Sequence, residues 1–186
     1  MSILRVIAGT AKNRKLKVPG GLKLRPTGDR VKEALFNILG DFVPDCLFLD
    51  LFAGTGSIGI EALSRGATGA VFVEKNRKNM LVLKENLVLT GLQSRARVIC
   101  LDVFKALPVL RKEGQLFDLV FLDPPYLKNF EGEVLSGIAG YNLLKPCGKV
   151  VAESSKKDLL PPAVGPLKLN RQESYGDTVL SIYSYQ

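Results

Sequence analysis

A doubly wound α/β fold, with a mostly parallel sheet and an antiparallel hairpin at its end, follows from three features of this 186-residue chain. Apolar runs of strand length alternate with runs of helical periodicity from about residue 48 to residue 153. A glycine-rich turn follows the first of these apolar runs and opens the next helix. Leu167 to Tyr175 and Thr178 to Tyr185, joined at Gly176-Asp177, form the closing pair of strands.

In order, Arg5 to Ala8 and Lys15 to Val18 are short β-prone runs around a turn and predict a small hairpin. Pro19-Gly20-Gly21 breaks the chain. Thr27 or Asp29 is placed to cap a helix that carries Val31, Leu35, Ile38 and Leu39 on one face and stops near Gly40. The main sheet then begins with Phe48 to Asp50. Ala70 to Val73 is its second strand and ends at Glu74. A helix over Asn76 to Thr90 carries Met80, Leu83 and Leu87 and stops at Gly91. A third strand, Ala96 to Leu101, ends at Asp102, and Val103 to Lys112 is helical. Leu116 to Leu122 is apolar apart from Asp118, which predicts burial on both faces. A loop and helix over about 130 to 144 and a strand from Gly148 to Glu153 precede the hairpin.

The 46% hydrophobic content of the chain supplies a full core for one compact domain. No apolar run approaches the roughly eighteen residues needed to cross a bilayer, and the start M-S-I-L-R-V-I-A lacks the order of a signal peptide. A cytoplasmic protein with no membrane partner is expected. Cys46, Cys100 and Cys147 match no metal-ligand spacing, so no metal is expected and the three read as buried free thiols. There is no histidine, which removes the commonest general base. The net charge is +8, and residues 1–40 hold nine of the Lys and Arg against two acids, leaving the remainder near neutral. A basic arm on a nearly neutral body is the pattern of a protein that grips a phosphate backbone.

Gly54, Gly56 and Gly59 match the G-x-G-x-x-G spacing of a nucleotide-binding turn, with free N–H groups at the following helix start. That motif alone suits NAD equally well. Asp50, four residues ahead of Gly54, argues against it, because its charge would face a pyrophosphate across a low-dielectric cleft. A cationic ligand is favoured instead. S-adenosylmethionine has an ammonium, a sulfonium, no phosphate, and a ribose for Glu74 to hold. Asp50, Glu74, Asp102 and Asp123 all fall where the carboxyl ends of successive strands are expected. They divide as Asp50 toward the methionine part, Glu74 on the ribose, Asp102 near the adenine amine and Asp123 beside the transferred methyl. With their neighbours they make the cofactor set: Asp50, Phe52, Gly54, Thr55 and Gly56 on the first turn, Glu74 and Lys75 on the second, Asp102 and Val103 on the third.

Asp123-Pro124-Pro125-Tyr126 is the candidate catalytic turn. Two prolines remove two backbone donors, so the Asp123 carboxylate and the Pro124 carbonyl are offered as two acceptors for the two N–H groups of a nucleobase amine. Tyr126 supplies a face on which the base stacks.

These residues resemble the RsmD-type bacterial 16S ribosomal RNA guanine-N2 methyltransferases, among the class I S-adenosylmethionine-dependent enzymes. The likeness rests on the glycine turn, on D-P-P-Y, on R-P-T-G-D-R-V-K-E-A-L-F-N from Arg25 to Asn37, and on R-V-I-A-G-T-A-K-N-R-K-L at the start. It implies a Rossmann-like seven-stranded sheet with helices on both faces and methylation of a guanine, position 966 of 16S RNA, in the small subunit or its assembly intermediate. The charge distribution and the helix end near Gly40 divide the chain into a basic RNA-gripping extension over 1–40 and a methyltransferase domain over 41–186, and a monomer is expected. Arg5, Lys12, Arg14, Lys15, Lys17, Arg25 and Arg30 are the candidate RNA contacts. The alternatives are another amino-methyltransferase, acting on DNA adenine or protein glutamine, and a non-catalytic RNA-binding assembly factor.

Overall fold

Strands buried on both faces need helices above and below them, and that is the arrangement in the computed structural model, which describes residues 4–19, 28–125, 130–158 and 160–185. Helix α1 (Asp29–Leu39) leads to β1 (Leu47–Asp50), α2 (Ser57–Ser64), β2 (Gly69–Val73), α3 (Arg77–Thr90) and β3 (Ala96–Ile99). Then come α4 (Val103–Lys112), β4 (Phe117–Leu122), α5 (Phe130–Gly140) and β5 (Leu144–Ser155), followed by β6 (Ala163–Val164), β7 (Leu167–Tyr175) and β8 (Thr178–Tyr185). One sheet results, ordered β3-β2-β1-β4-β5-β8-β7-β6. Strands β1 to β5 pair in parallel, and β8 enters antiparallel to β5. The two-residue β6 folds back on Leu167 and adds an eighth member to the seven expected.

Two apolar layers sandwich the sheet. One joins Phe48, Phe72, Leu119 and Phe121 to α1, α2 and α3, and the other joins Leu49, Val120, Leu122 and Val150 to α4 and α5. Helix α3 starts with Asn76 as its cap, whose side chain accepts from the Lys78 and Asn79 N–H groups, and ends on left-handed Gly91. At α1 the expectation of a side-chain cap fails. Gly28 occupies the cap position without a side-chain bond and Asp29 is already helical, while Thr27 lies outside the described residues.

The N-terminal segment is part of the first layer. Its hairpin is reduced to a single antiparallel bridge, Arg5 opposite Lys15. Alternation turns Leu4, Val6 and Leu16 inward and leaves Arg5, Lys15 and Lys17 exposed. What pins it down is a buried ionic group on α2. The Glu61 carboxylate accepts from Ile7 N–H (2.7 Å), Ala8 N–H (2.9 Å) and Arg65 Nε (2.8 Å), and it lies 3.7 Å from Lys32 Nζ. Lys32 is fully buried and donates to the Arg5 carbonyl and to Ser57 Oγ. Burial is the main influence on its pKa and lowers it, while Glu61 opposes that shift. Lys32 is therefore no part of the charge offered to a phosphate backbone. Gly9 lies against α2 so closely, at φ +80, that a Cβ there would sit 1.8 Å from the Ser64 carbonyl oxygen.

Among the cysteines only Cys46 is buried, and Cys100 and Cys147 are exposed. Cys100 follows β3 after its last residue, and Cys147 stands at the irregular start of β5, where neither side chain has a layer to enter. Among the described residues no helix is long and apolar enough to cross a membrane.

Candidate active site

The strand order reverses between β1 and β4, and the crevice at their carboxyl ends is where such sheets take ligands. A cavity of about 380 Å³ opens there. Its wall is made by the turn after β1 (Phe52, Gly54, Thr55), the turn after β2 (Glu74, Lys75) and the start of α4 (Asp102, Val103), with Asp50, Asp123 and Pro125 between them. All the expected cofactor residues but one thus converge on it. Gly56 is the exception, because it acts behind the wall: its left-handed conformation (φ 85) turns the chain into α2. Gly59 supports the same junction by allowing close packing, since a Cβ there would meet the Phe72 ring at 2.3 Å.

Asp50 is 2% exposed and accepts one bond at 3.2 Å, from Gly59 N–H. Burial pushes its pKa up to about 7, the Glu74 charge adds to this, and the Gly59 and Phe52 N–H groups oppose it. Glu74 ties the two turns together, accepting from Gly54 N–H (2.8 Å) and Asn76 N–H (2.6 Å). Asp102 does not end a strand as expected. β3 stops at Ile99, and Asp102 instead caps α4 through Phe104 N–H, with Lys75 Nζ 3.6 Å away.

Across the crevice, Asp123 continues from β4. No hydrogen-bond donor among the described residues reaches its carboxylate, whose pKa is raised well above the usual range by burial first and then by the charges of Glu153, Asp50 and Glu131. Pro124 is buried and Pro125 exposed. Tyr126 lies outside the described residues, as does Arg25 of the RNA set. The other six basic candidates, Arg5, Lys12, Arg14, Lys15, Lys17 and Arg30, are all exposed. Arg5 lies 3.6 Å from Asp29 and Lys17 bonds Glu85 at 2.9 Å.

The family described as Conserved hypothetical protein 95 matches residues 4–184. Ribosomal RNA small subunit methyltransferase D of Escherichia coli K12 is 35% identical over 180 residues, 97% of this chain and 89% of that one. The chain belongs to the RsmD family of methyltransferases. The Haemophilus influenzae protein of the same name is 41% identical over 161 residues, 86% of this chain and 83% of its own. The structure of a hypothetical protein from Thermus thermophilus superposes with a TM-score of 0.86 at 34% identity, covering 98% of this chain and 99% of that chain.

An RsmD-type site has to hold S-adenosylmethionine, and the residues present fit it. The volume lies in the range of small-molecule sites. The Asp50 carboxylate has no cationic partner among the described residues and suits an ammonium or sulfonium. Asn79 Oδ1, in the same wall, is a buried acceptor with no donor among the described residues, as a ligand N–H or O–H would supply. Asn79 escaped sequence reasoning because it sits one turn inside α3, as did Leu4 and Val18, which close the cavity from the N-terminal segment. Alternation in the first twenty residues was the one signal that pointed Leu4 inward.

Proposed function

We propose that this RsmD-type chain methylates the exocyclic N2 amine of a guanine in 16S ribosomal RNA, of the guanine 966 type, within the small subunit or its assembly intermediate in the cytoplasm. The observation that carries this reading is Asp123, a half-buried carboxylate with no donor among the described residues, standing in the wall of the cofactor cavity at the end of β4. When bound, S-adenosylmethionine supplies an electrophilic methyl group on sulfur. Asp50 takes its cationic methionine end, Glu74 its ribose, and Asp102 its adenine amine.

The protein's own work is positioning. The Asp123 carboxylate and the Pro124 carbonyl accept the two amine N–H groups, which turns the nitrogen lone pair out of conjugation with the ring. Tyr126 stacks on the extruded base. A guanine amine is too weak an acid for a carboxylate to deprotonate beforehand, so its proton leaves once the nitrogen has become positive. Asp123, with its raised pKa, is suited to receive it. Transfer of label from methyl-labelled cofactor to undermethylated small subunits, with the product base identified, tests the proposal. Label on a base other than guanine, or on protein, would overturn it.

The Asp50 pKa gives the cofactor affinity a definite pH dependence. Asp50 ionises as pH rises through about 7, and the ionised form attracts the cation. Affinity for S-adenosylmethionine therefore rises with pH and is expected to be roughly tenfold weaker at pH 6 than at pH 8. Titration calorimetry at both pH values reads this directly, and a flat profile would show that Asp50 does not meet the cation.

The exposed cations of the N-terminal segment are proposed to hold RNA phosphates. Removing Arg5, Lys12, Arg14 or Lys15 is expected to spare cofactor binding. Each is expected to flatten the log–log salt dependence of RNA affinity by about 0.7 to 0.9. Unchanged slopes across the set would reduce that surface to solvated charge.

A further inference from the structure

The proposed reaction leaves one buried acid at the crevice without a role. Strands β4 and β5 run parallel with Leu122 opposite Ala152, so the next step of the register sets Asp123 beside Glu153. Phe121 and Val151 face the layer of α1 and α2, while Leu122 and Ala152 face away from it. By alternation Asp123 and Glu153 emerge together on the first side, where Asp50 also emerges one strand away. The order β1-β4-β5 then puts Asp50 and the cofactor cavity on one flank of Asp123 and Glu153 on the other. A base whose amine is held at Asp123, with its cofactor over β1, lies toward Glu153. Glu153 is 3% exposed, and its charge acts on Asp123 more strongly than that of Asp50 or Glu131.

Two neighbouring carboxylates in a low-dielectric crevice repel each other when both are ionised, and an edge that carries adjacent N–H donors relieves that repulsion. Among nucleobase edges with an exocyclic amine, guanine alone has such an edge, with its ring N1–H next to the N2 amine. Adenine and cytosine put a ring-nitrogen lone pair in that position, which would face a carboxylate oxygen. We propose that Glu153 is the residue that selects guanine, accepting the N1–H while Asp123 accepts from the N2 amine. The inference rests on the guanine-N2 reading above. Glutamate is one methylene longer than aspartate, which helps it close the interstrand gap of about 4.8 Å toward the same base. A carboxylate has about four acceptor positions, so a bond within the protein leaves room for the base.

The test uses small-subunit particles carrying guanine or 2-aminopurine at the target nucleotide, the latter keeping the N2 amine but having a lone pair at N1. Wild-type protein is expected to prefer guanine in kcat/KM by about 10²-fold or more, as a site built for an N–H rejects an analogue without one. Glu153→Gln, whose amide can donate to N1, is expected to narrow the preference to within about tenfold by raising turnover of 2-aminopurine, while cofactor affinity is unchanged. Wild-type protein that uses both bases equally would overturn the assignment, whether or not the variant folds. So would a Glu153→Gln protein that loses activity on both and keeps the ratio. Failure of the underlying reading looks different, since wild-type protein would then leave guanine N2 unmethylated.

Discussion

Asp123→Ala is expected to lower methyl transfer by roughly 10²-fold or more while cofactor and RNA binding persist, because the amine then loses the acceptor that orients it. Asp123→Asn keeps an acceptor oxygen at the same reach and is expected to retain part of the turnover. The contrast between the two separates positioning from base chemistry. If both are equally inactive with binding intact, Asp123 acts as an obligatory base, and if Asp123→Ala is fully active the reacting centre lies elsewhere. Tyr126→Phe, which keeps the ring, is expected to be mild beside Tyr126→Ala, where the loss of base stacking costs about 1–3 kcal/mol.

The largest expected effect on stability is at Glu61. Truncation to alanine leaves the Ile7 and Ala8 N–H groups without their acceptor and Lys32 buried without its counter-charge. Breaking such a pair from one side costs about 3–5 kcal/mol, enough to lower the melting temperature by roughly 10 °C in a chain of this size. Glu61→Gln combined with Lys32→Met removes both charges and keeps an acceptor, so it is expected to recover part of the loss. Lys17→Ala, at an exposed pair, is the control and is expected to cost less than about 1 kcal/mol. Urea denaturation of the three proteins measures all of this, and a Glu61→Ala loss no larger than that control would show that the N-terminal segment is held by its apolar residues and its bonds to Ser64 and Asn86 without the Glu61 group.

Glu61 also marks where sequence reasoning ends. The spans Val103–Lys112, Leu167–Tyr175 and Thr178–Tyr185 follow from periodicity and turn residues, and the structure has these boundaries. The acids and glycines around the crevice are legible because each stands at an expected strand end or glycine turn, whereas Asn79, Leu4 and Val18 of the same wall stand at neither. A glutamate inside a helix reads as a solvated face, and a lysine in a basic stretch reads as one more surface charge. Only contacts between residues far apart in the chain, such as Ile7 to Glu61 and Lys32 to Ser57, reveal both as interior. Asp102 misleads for a local reason, since two residues with no ladder partners separate β3 from the cap of α4. In the sequence Glu153 is the last residue of an ordinary strand, and its place beside Asp123 depends on the pairing register, which composition does not encode.

The buried Asp50 has a consequence for folding itself. In the unfolded chain an aspartate ionises near pH 3.8, whereas in the folded chain Asp50 holds its proton up to about pH 7. The folded state therefore binds more protons between these values, so this group's contribution to stability is fully present below pH 3.8 and is lost as pH rises toward 7. Carried through, the shift amounts to about 4 kcal/mol at neutral pH and above, a substantial share of what a small domain has. A bound cation returns part of that free energy by favouring the charged form. On the proposed role of Asp50, methyl-donor supply bears on how long the protein survives heat and proteolysis, as well as on how fast it works.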